Sequence, residues 1–183
     1  DGYWQVKGKS VSYKKFTKVK SWAPGQYVVM GNIDDGERKS VTKTTIVGRE
    51  AGGWVFESIN TDEDGKVSGM QICIKGYEQA ASKGDASKIT AVWAKILQAD
   101  GSVQKIEGDA MMLYNMMLKA AWEKLIVSGV NYTKTGAVTV PGGAFAGTTS
   151  LKASVTILFS TITQISFYHP DVPVNGMIKA TNE

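Results

Sequence analysis

The sequence predicts a mostly β, α+β protein: a strongly curved antiparallel sheet, a half-barrel, wrapped around one Met-rich apolar helix. Three observations carry that expectation. Most of the chain alternates apolar and polar residues, the period of a strand with one buried face. Turn-forming clusters separate the alternating runs. One stretch alone, Asp109 to Val127, lacks Gly and Pro and is rich in helix formers.

In chain order, Tyr27 to Ile33 alternates, and Asp34-Asp35-Gly36 supplies a tight turn. The next run, through Val41, Lys43, Thr45 and Val47, is rich in the β-branched residues that strands favour. Gly52-Gly53 marks a turn before Trp54 to Ile59. Asp62-Glu63-Asp64-Gly65 marks the next, before Met70, Ile72 and Ile74. Residues 76–88 are small, polar and Gly-punctuated, and read as a loop or short helical turn. Ile89 to Gln98 is a strand, and Asp100-Gly101 turns into Val103 to Ile106.

The helix follows, with Asp109 as N-cap and Gly129 as its stop. Asn115, Lys119 and Glu123 form a narrow polar stripe at i, i+4 spacing. Almost everything else on the wheel is apolar, so the helix is expected to be enclosed on most sides. Residues 139–148 form a Gly-rich connection. From Leu151 the odd positions stay largely apolar to Phe167, which reads as one long strand, bent or bulged, with Leu158 and Ile162 out of pattern. Pro170 and Pro173 end it, and Val174 to Lys179 closes the sheet. All 183 residues are read as one domain, 1–183.

The 43% apolar and 21% charged residues exclude disorder. The net charge of +4 is modest for this surface. Its densest part, Lys7, Lys9, Lys14, Lys15, Lys18 and Lys20, fits a solvated strand pair, with an anionic-lipid site second. Only Arg38 and Arg49 supply the guanidinium that dominates nucleic-acid recognition, so no nucleic-acid partner is expected. A single cysteine, Cys73, makes an intramolecular disulfide impossible and leaves the redox compartment open. No 18-residue apolar run and no signal peptide is found; the chain opens at Asp1, as a processed exported chain or a cytosolic one would.

Catalytic chemistry finds little footing. His169, the single histidine, precedes Pro170 at a strand end, and Cys73 lies in a strand pattern rather than at a helix N-terminus. Ser12–Lys15 has the S-x-x-K form but in a strand. Gly142 and Gly147 have Walker spacing, yet Thr148 stands where Lys is needed. Asp62–Gly65 lacks the spacing of a calcium loop. No ligand-spaced cluster for a metal and no cofactor motif is present, so the chain is read as a non-enzyme. Asn131-Tyr132-Thr133 is a glycosylation sequon, meaningful only in a eukaryotic secretory protein.

The informative constellation is physical. Met111, Met112, Met116 and Met117 lie on one helix, and methionine adapts to irregular apolar surfaces. Trp4, Trp22, Trp54 and Trp93 lie on strand-like segments. The same pattern serves a filled core or an apolar cavity that holds an acyl chain.

Three segments resemble a family. "APGQYVVM" at 23–30, "IVGREAGGWVFESI" at 46–59 and "FYHPDVPVNGMIKA" at 167–180 are similar, in order and spread, to the LolA/LolB/LppX-like superfold of bacterial exported lipoproteins. That resemblance implies a curved half-barrel closed by helix, a periplasmic or outer-membrane-associated location, and a lipid or lipoprotein acyl chain as ligand. By analogy the pocket is lined by Trp54, Phe56, Met112, Met116, Met117, Trp122, Ile157 and Phe159. The acylated N-terminal Cys of such lipoproteins and the LolA-type Arg have no match here. The expected function is therefore non-catalytic binding of a lipid or acyl chain in the cell envelope, with a membrane surface as a further partner. The alternative is an envelope interaction or structural module with a solid core. Oligomeric state stays open.

Overall fold

The structure is a computed structural model that describes residues 21–34, 36–77, 86–128, 132–157 and 160–182. It is mostly β, with antiparallel sheets and one α-helix among those residues. The chain divides into two compact units. Of the described residues, the first comprises Ser21–Tyr77 and Ser87–Ala120, and the second comprises Ala86 and those within Ala121–Glu183.

The first unit is a meander of six strands in sequential order: β1 (Tyr27–Asp34), β2 (Glu37–Glu50), β3 (Gly53–Asp62), β4 (Val67–Lys75), β5 (Thr90–Leu97) and β6 (Val103–Ile106). The sheet is open, with β1 and β6 at its edges. Local chemistry sets its turns. Asp62 Oδ1 accepts the backbone N–H of Asp64 at 3.0 Å and of Lys66 at 2.8 Å, so this acidic cluster is a hairpin turn. Asp100 does the same for Ser102 N–H at 2.8 Å, while Gly101 supplies a φ of 84°. The β2–β3 turn falls at Ala51-Gly52 rather than Gly52-Gly53, because Glu50 pairs with Gly53. Gly53 is needed in the strand itself: a Cβ there would lie 2.7 Å from Ile74 O and 2.9 Å from Cys73 Sγ.

The helix α1 (Gly108–Ser128) begins one residue earlier than its sequence signal, with Asp109 in the first turn rather than capping it. Its first part, to Ala120, belongs to this unit. Met111, Tyr114 and Leu118, spaced i, i+3 and i+7, pack on a sheet core of Ile72, Ala91 and Ala94. Phe56, Met70, Ile74 and Ile106 complete that layer.

The second unit holds a four-stranded sheet in the order β12-β11-β10-β7, from β7 (Tyr132–Lys134), β10 (Thr149–Ile157), β11 (Ser160–Tyr168) and β12 (Met177–Asn182). A small hairpin, β8 (Val138–Val140) and β9 (Gly143–Phe145), interrupts it. The single long strand read from Leu151 to Phe167 is two antiparallel strands, since Ile157 pairs with Ser160 and Thr149 with Tyr168. The apolar parity switches across the reversal: Leu151 is buried in β10, whereas Ser166 and Tyr168 are buried in β11. A two-residue reversal demands this switch, because Leu151 pairs with Ser166. Thr148, Val172, Val174 and Ile178 are also buried in this unit.

Candidate functional site

The features that could act on another molecule lie on α1 and on the sheet it covers. The face of α1 toward the sheet is closed. Asn115 lies within it: its Oδ1 accepts the Ala91 N–H at 2.6 Å and its Nδ2 donates to the Ala91 carbonyl at 3.2 Å. β6 ends at Ile106 opposite Ala94, short of Ala91, so the Asn115 amide takes both backbone groups that a longer β6 would have paired. The polar stripe is therefore, at Asn115, part of the packed interface.

The opposite face of α1 is open. Met112 is 61% exposed, Leu113 56%, Met116 63% and Met117 65%. On a helical wheel these four centre about half a turn from Met111, Tyr114, Asn115 and Leu118. The expected enclosure of the helix is thus not met over these turns. The reason is geometric: a single sheet layer covers only one stripe of a helix that is apolar all round.

Trp54 and Phe56 lie on the sheet face that α1 covers, Phe56 in the layer beneath the helix, and both join an aromatic cluster. Trp22 meets Trp54 edge-on at 5.7 Å and Phe56 at 4.7 Å, and stacks on buried Tyr77 at 3.6 Å. Arg49 lies over the Trp54 ring at 4.8 Å, a cation–π contact. The structure therefore brings Trp54 and Phe56 together around Trp22, which sequence reasoning left outside the pocket. It places Met112, Met116 and Met117 on the far face of the helix. Trp122 lies on α1 and Ile157 on β10, with side chains outside the described set. Phe159 lies outside the described residues, as do the Lys7–Lys20 cluster, Trp4, Ser12–Lys15, Asn131, Gly129 and most of the 76–88 loop.

A trough of about 500 Å³ opens at the edge of the sheet beside the start of α1. Trp93, Ala94, Ile106 and Met111 line it, but so do Glu50, Lys95, Lys105 and Glu107. Seating an acyl chain there would desolvate four charges, each costing more than a methylene returns. Of the residues expected in the pocket, the five whose side chains are described, Trp54, Phe56, Met112, Met116 and Met117, do not line this trough.

Cys73 and His169 are both held in contacts with the backbone. Cys73 is fully buried, its Sγ donates to the Glu50 carbonyl at 3.2 Å, and burial, then the Glu50 carboxylate, push its thiol pKa up against the pull of Lys75. His169 uses both ring nitrogens in backbone contacts. Nδ1 accepts from Asp171 N–H at 3.1 Å, which leaves Nε2–H to donate to the Ala146 carbonyl at 3.1 Å. The ring thereby ties the segment after β9 to the β11–β12 connection. No group of three or more His, Cys, Asp or Glu that could hold a metal ion occurs among the described residues. Among the described residues no helix is long and apolar enough to cross a membrane.

Comparison with protein-family models, curated proteins and solved structures finds no match to this chain.

Proposed function

We propose that this protein binds lipid acyl chains without catalysing a reaction, and that it does so through the outward Met face of α1 rather than through a pocket beneath the helix. The observation that supports this reading is the exposure of Met112, Leu113, Met116 and Met117 on one side of a helix whose other side is already packed. Four apolar side chains more than half exposed leave on the order of 4–6 kcal/mol of burial unrealised. Methionine suits a ligand of irregular shape, because its thioether chain repacks at little cost. The resemblance of three segments to exported bacterial lipoproteins supports an envelope location, periplasmic or outer-membrane-associated. A half-barrel curvature of the sheet on the packed side of α1, stopping short of the outward Met face, belongs to the same proposal.

Flotation with vesicles of phosphatidylethanolamine and phosphatidylglycerol tests it. The wild type should float with the vesicles, and the Met116→Glu/Met117→Glu variant should lose binding by about tenfold or more, since each buried charge opposes insertion by more than 1.4 kcal/mol. Native mass spectrometry should show a lipid mass on the gently purified wild type. Failure of both experiments would leave the second reading, an envelope interaction module with a solid core, which the closed α1–sheet interface supports.

A further inference from the structure

We infer that β1 pairs edge to edge with β1 of a second copy of this chain, joining two six-stranded sheets into one across a two-fold axis. The inference rests on the edges of the sheets, independently of the helix face. Among the described residues β1 pairs only with β2. Gln26 accepts the Ile46 N–H at 2.8 Å, and the same register runs on through Tyr27↔Thr45 and Val28↔Thr44. Antiparallel ladders alternate, so the even residues of β1 bond to β2 and the odd ones, Tyr27, Val29, Gly31 and Ile33, direct their N–H and C=O outward.

Those same residues bear the exposed apolar side chains of the edge: Tyr27 at 53%, Val29 at 51% and Ile33 at 61%. No charge and no proline interrupts Tyr27–Ile33. Sheet proteins guard open edges with charge, proline or brevity. The other edges here are guarded. β6 has four residues and carries Lys105, β12 carries Lys179, and β7 has three residues. Among the described edge strands only β1 is both long and uncharged over seven residues.

The chemistry of β1 fits a second β1. A two-fold axis at Met30 sets Tyr27 opposite Ile33 of the copy, an aromatic with β-branched pair of the favoured kind. It sets Val29 opposite Gly31, where the missing side chain leaves room. All four outward residues of each copy then face one another, and four pairs with two bonds each give about eight backbone hydrogen bonds. No like charges meet.

Sedimentation velocity from about 10 to about 500 μM, a range that brackets a weak dimer, reads the outcome. The wild type should shift from monomer to dimer with concentration. Val29→Lys and Val29→Glu should each weaken dimerisation by about tenfold or more, with far-UV circular dichroism unchanged because Val29 is half exposed. An equimolar mixture of the two variants should recover dimer, since residues 29 of the two copies are diagonal neighbours. A wild type monomeric throughout overturns the inference, as does a dimer indifferent to both variants.

Discussion

Beyond the end of β6, the Asn115 side chain supplies the two hydrogen bonds to Ala91 that a longer strand would have made. Asn115→Leu keeps the volume but strands a buried N–H and a buried C=O, each costing about 1–3 kcal/mol. Denaturant titration should show a loss of about 2–4 kcal/mol; a loss under about 0.5 kcal/mol would mean that water replaces the amide there. Ala51 offers the opposite case. Its φ of 48°, followed by Gly52 at 76°, makes a hairpin turn in which both residues are left-handed. A Cβ is disfavoured there, and Asn is the residue such turns select. Ala51→Asn should therefore raise stability by about 1 kcal/mol, read as a higher denaturant midpoint at unchanged m-value. The sequence held half of this information. The Gly pair at 52 and 53 announced a turn, but only the close approach of Ile74 O to Gly53 shows why the second glycine belongs to the strand.

At the level of elements, α1 presents two faces of similar composition and opposite fate. Leu118→Ala or Met111→Ala removes packing against Ile72, Ala91 and Ala94 and should cost about 2–3 kcal/mol. Met112→Ala, on the open face, should cost less than about 0.5 kcal/mol and serves as the internal control. Equal costs on both faces would show the open face to be covered in solution. Composition could not tell these faces apart, because both are Met- and Leu-rich; the sheet does so by covering one stripe. Asn115 was the available clue. A lone amide at i+4 from a core Met, beside a strand end, completes backbone as readily as it meets solvent. The strands from Tyr27 to Ile106 were legible because Asp-Gly and Gly-rich turns bound them. The reversal between Ile157 and Ser160 was not, because Leu158-Phe159 contains none of the residues that mark tight turns. Ile162 alone broke the odd-position pattern on the far side, and the register that pairs it with Val155 accounts for that break.

For the whole molecule, buried tyrosines in both units tie folding to alkaline pH. Burial raises the pKa of Tyr77 and Tyr114 in the first unit. In the second it raises that of Tyr168, against the smaller lowering effect of a hydrogen bond with Ser166. A tyrosine is neutral when protonated, and desolvation disfavours the phenolate. Above the unfolded value of about 10 the unfolded chain releases these protons while the folded chain retains them. The folded state then binds more protons than the unfolded state, so stability falls as pH rises. The stabilisation is complete below about pH 10 and is lost progressively up to the raised folded values. Tyr77, the most strongly shifted, contributes a slope of up to about 1.4 kcal/mol per pH unit across that window. Urea midpoints should hold level to about pH 8, fall gradually from there as the unfolded chain releases the Cys73 proton that the buried thiol retains, and fall more steeply above about pH 10 as the tyrosines join. Tyr77→Phe should flatten the decline whatever its effect at neutral pH, because Phe has no proton to lose. A midpoint that is level to pH 11 in the wild type, or a decline that Tyr77→Phe leaves unchanged, would place the phenol in contact with water and remove Tyr77 from the core that Trp22 caps.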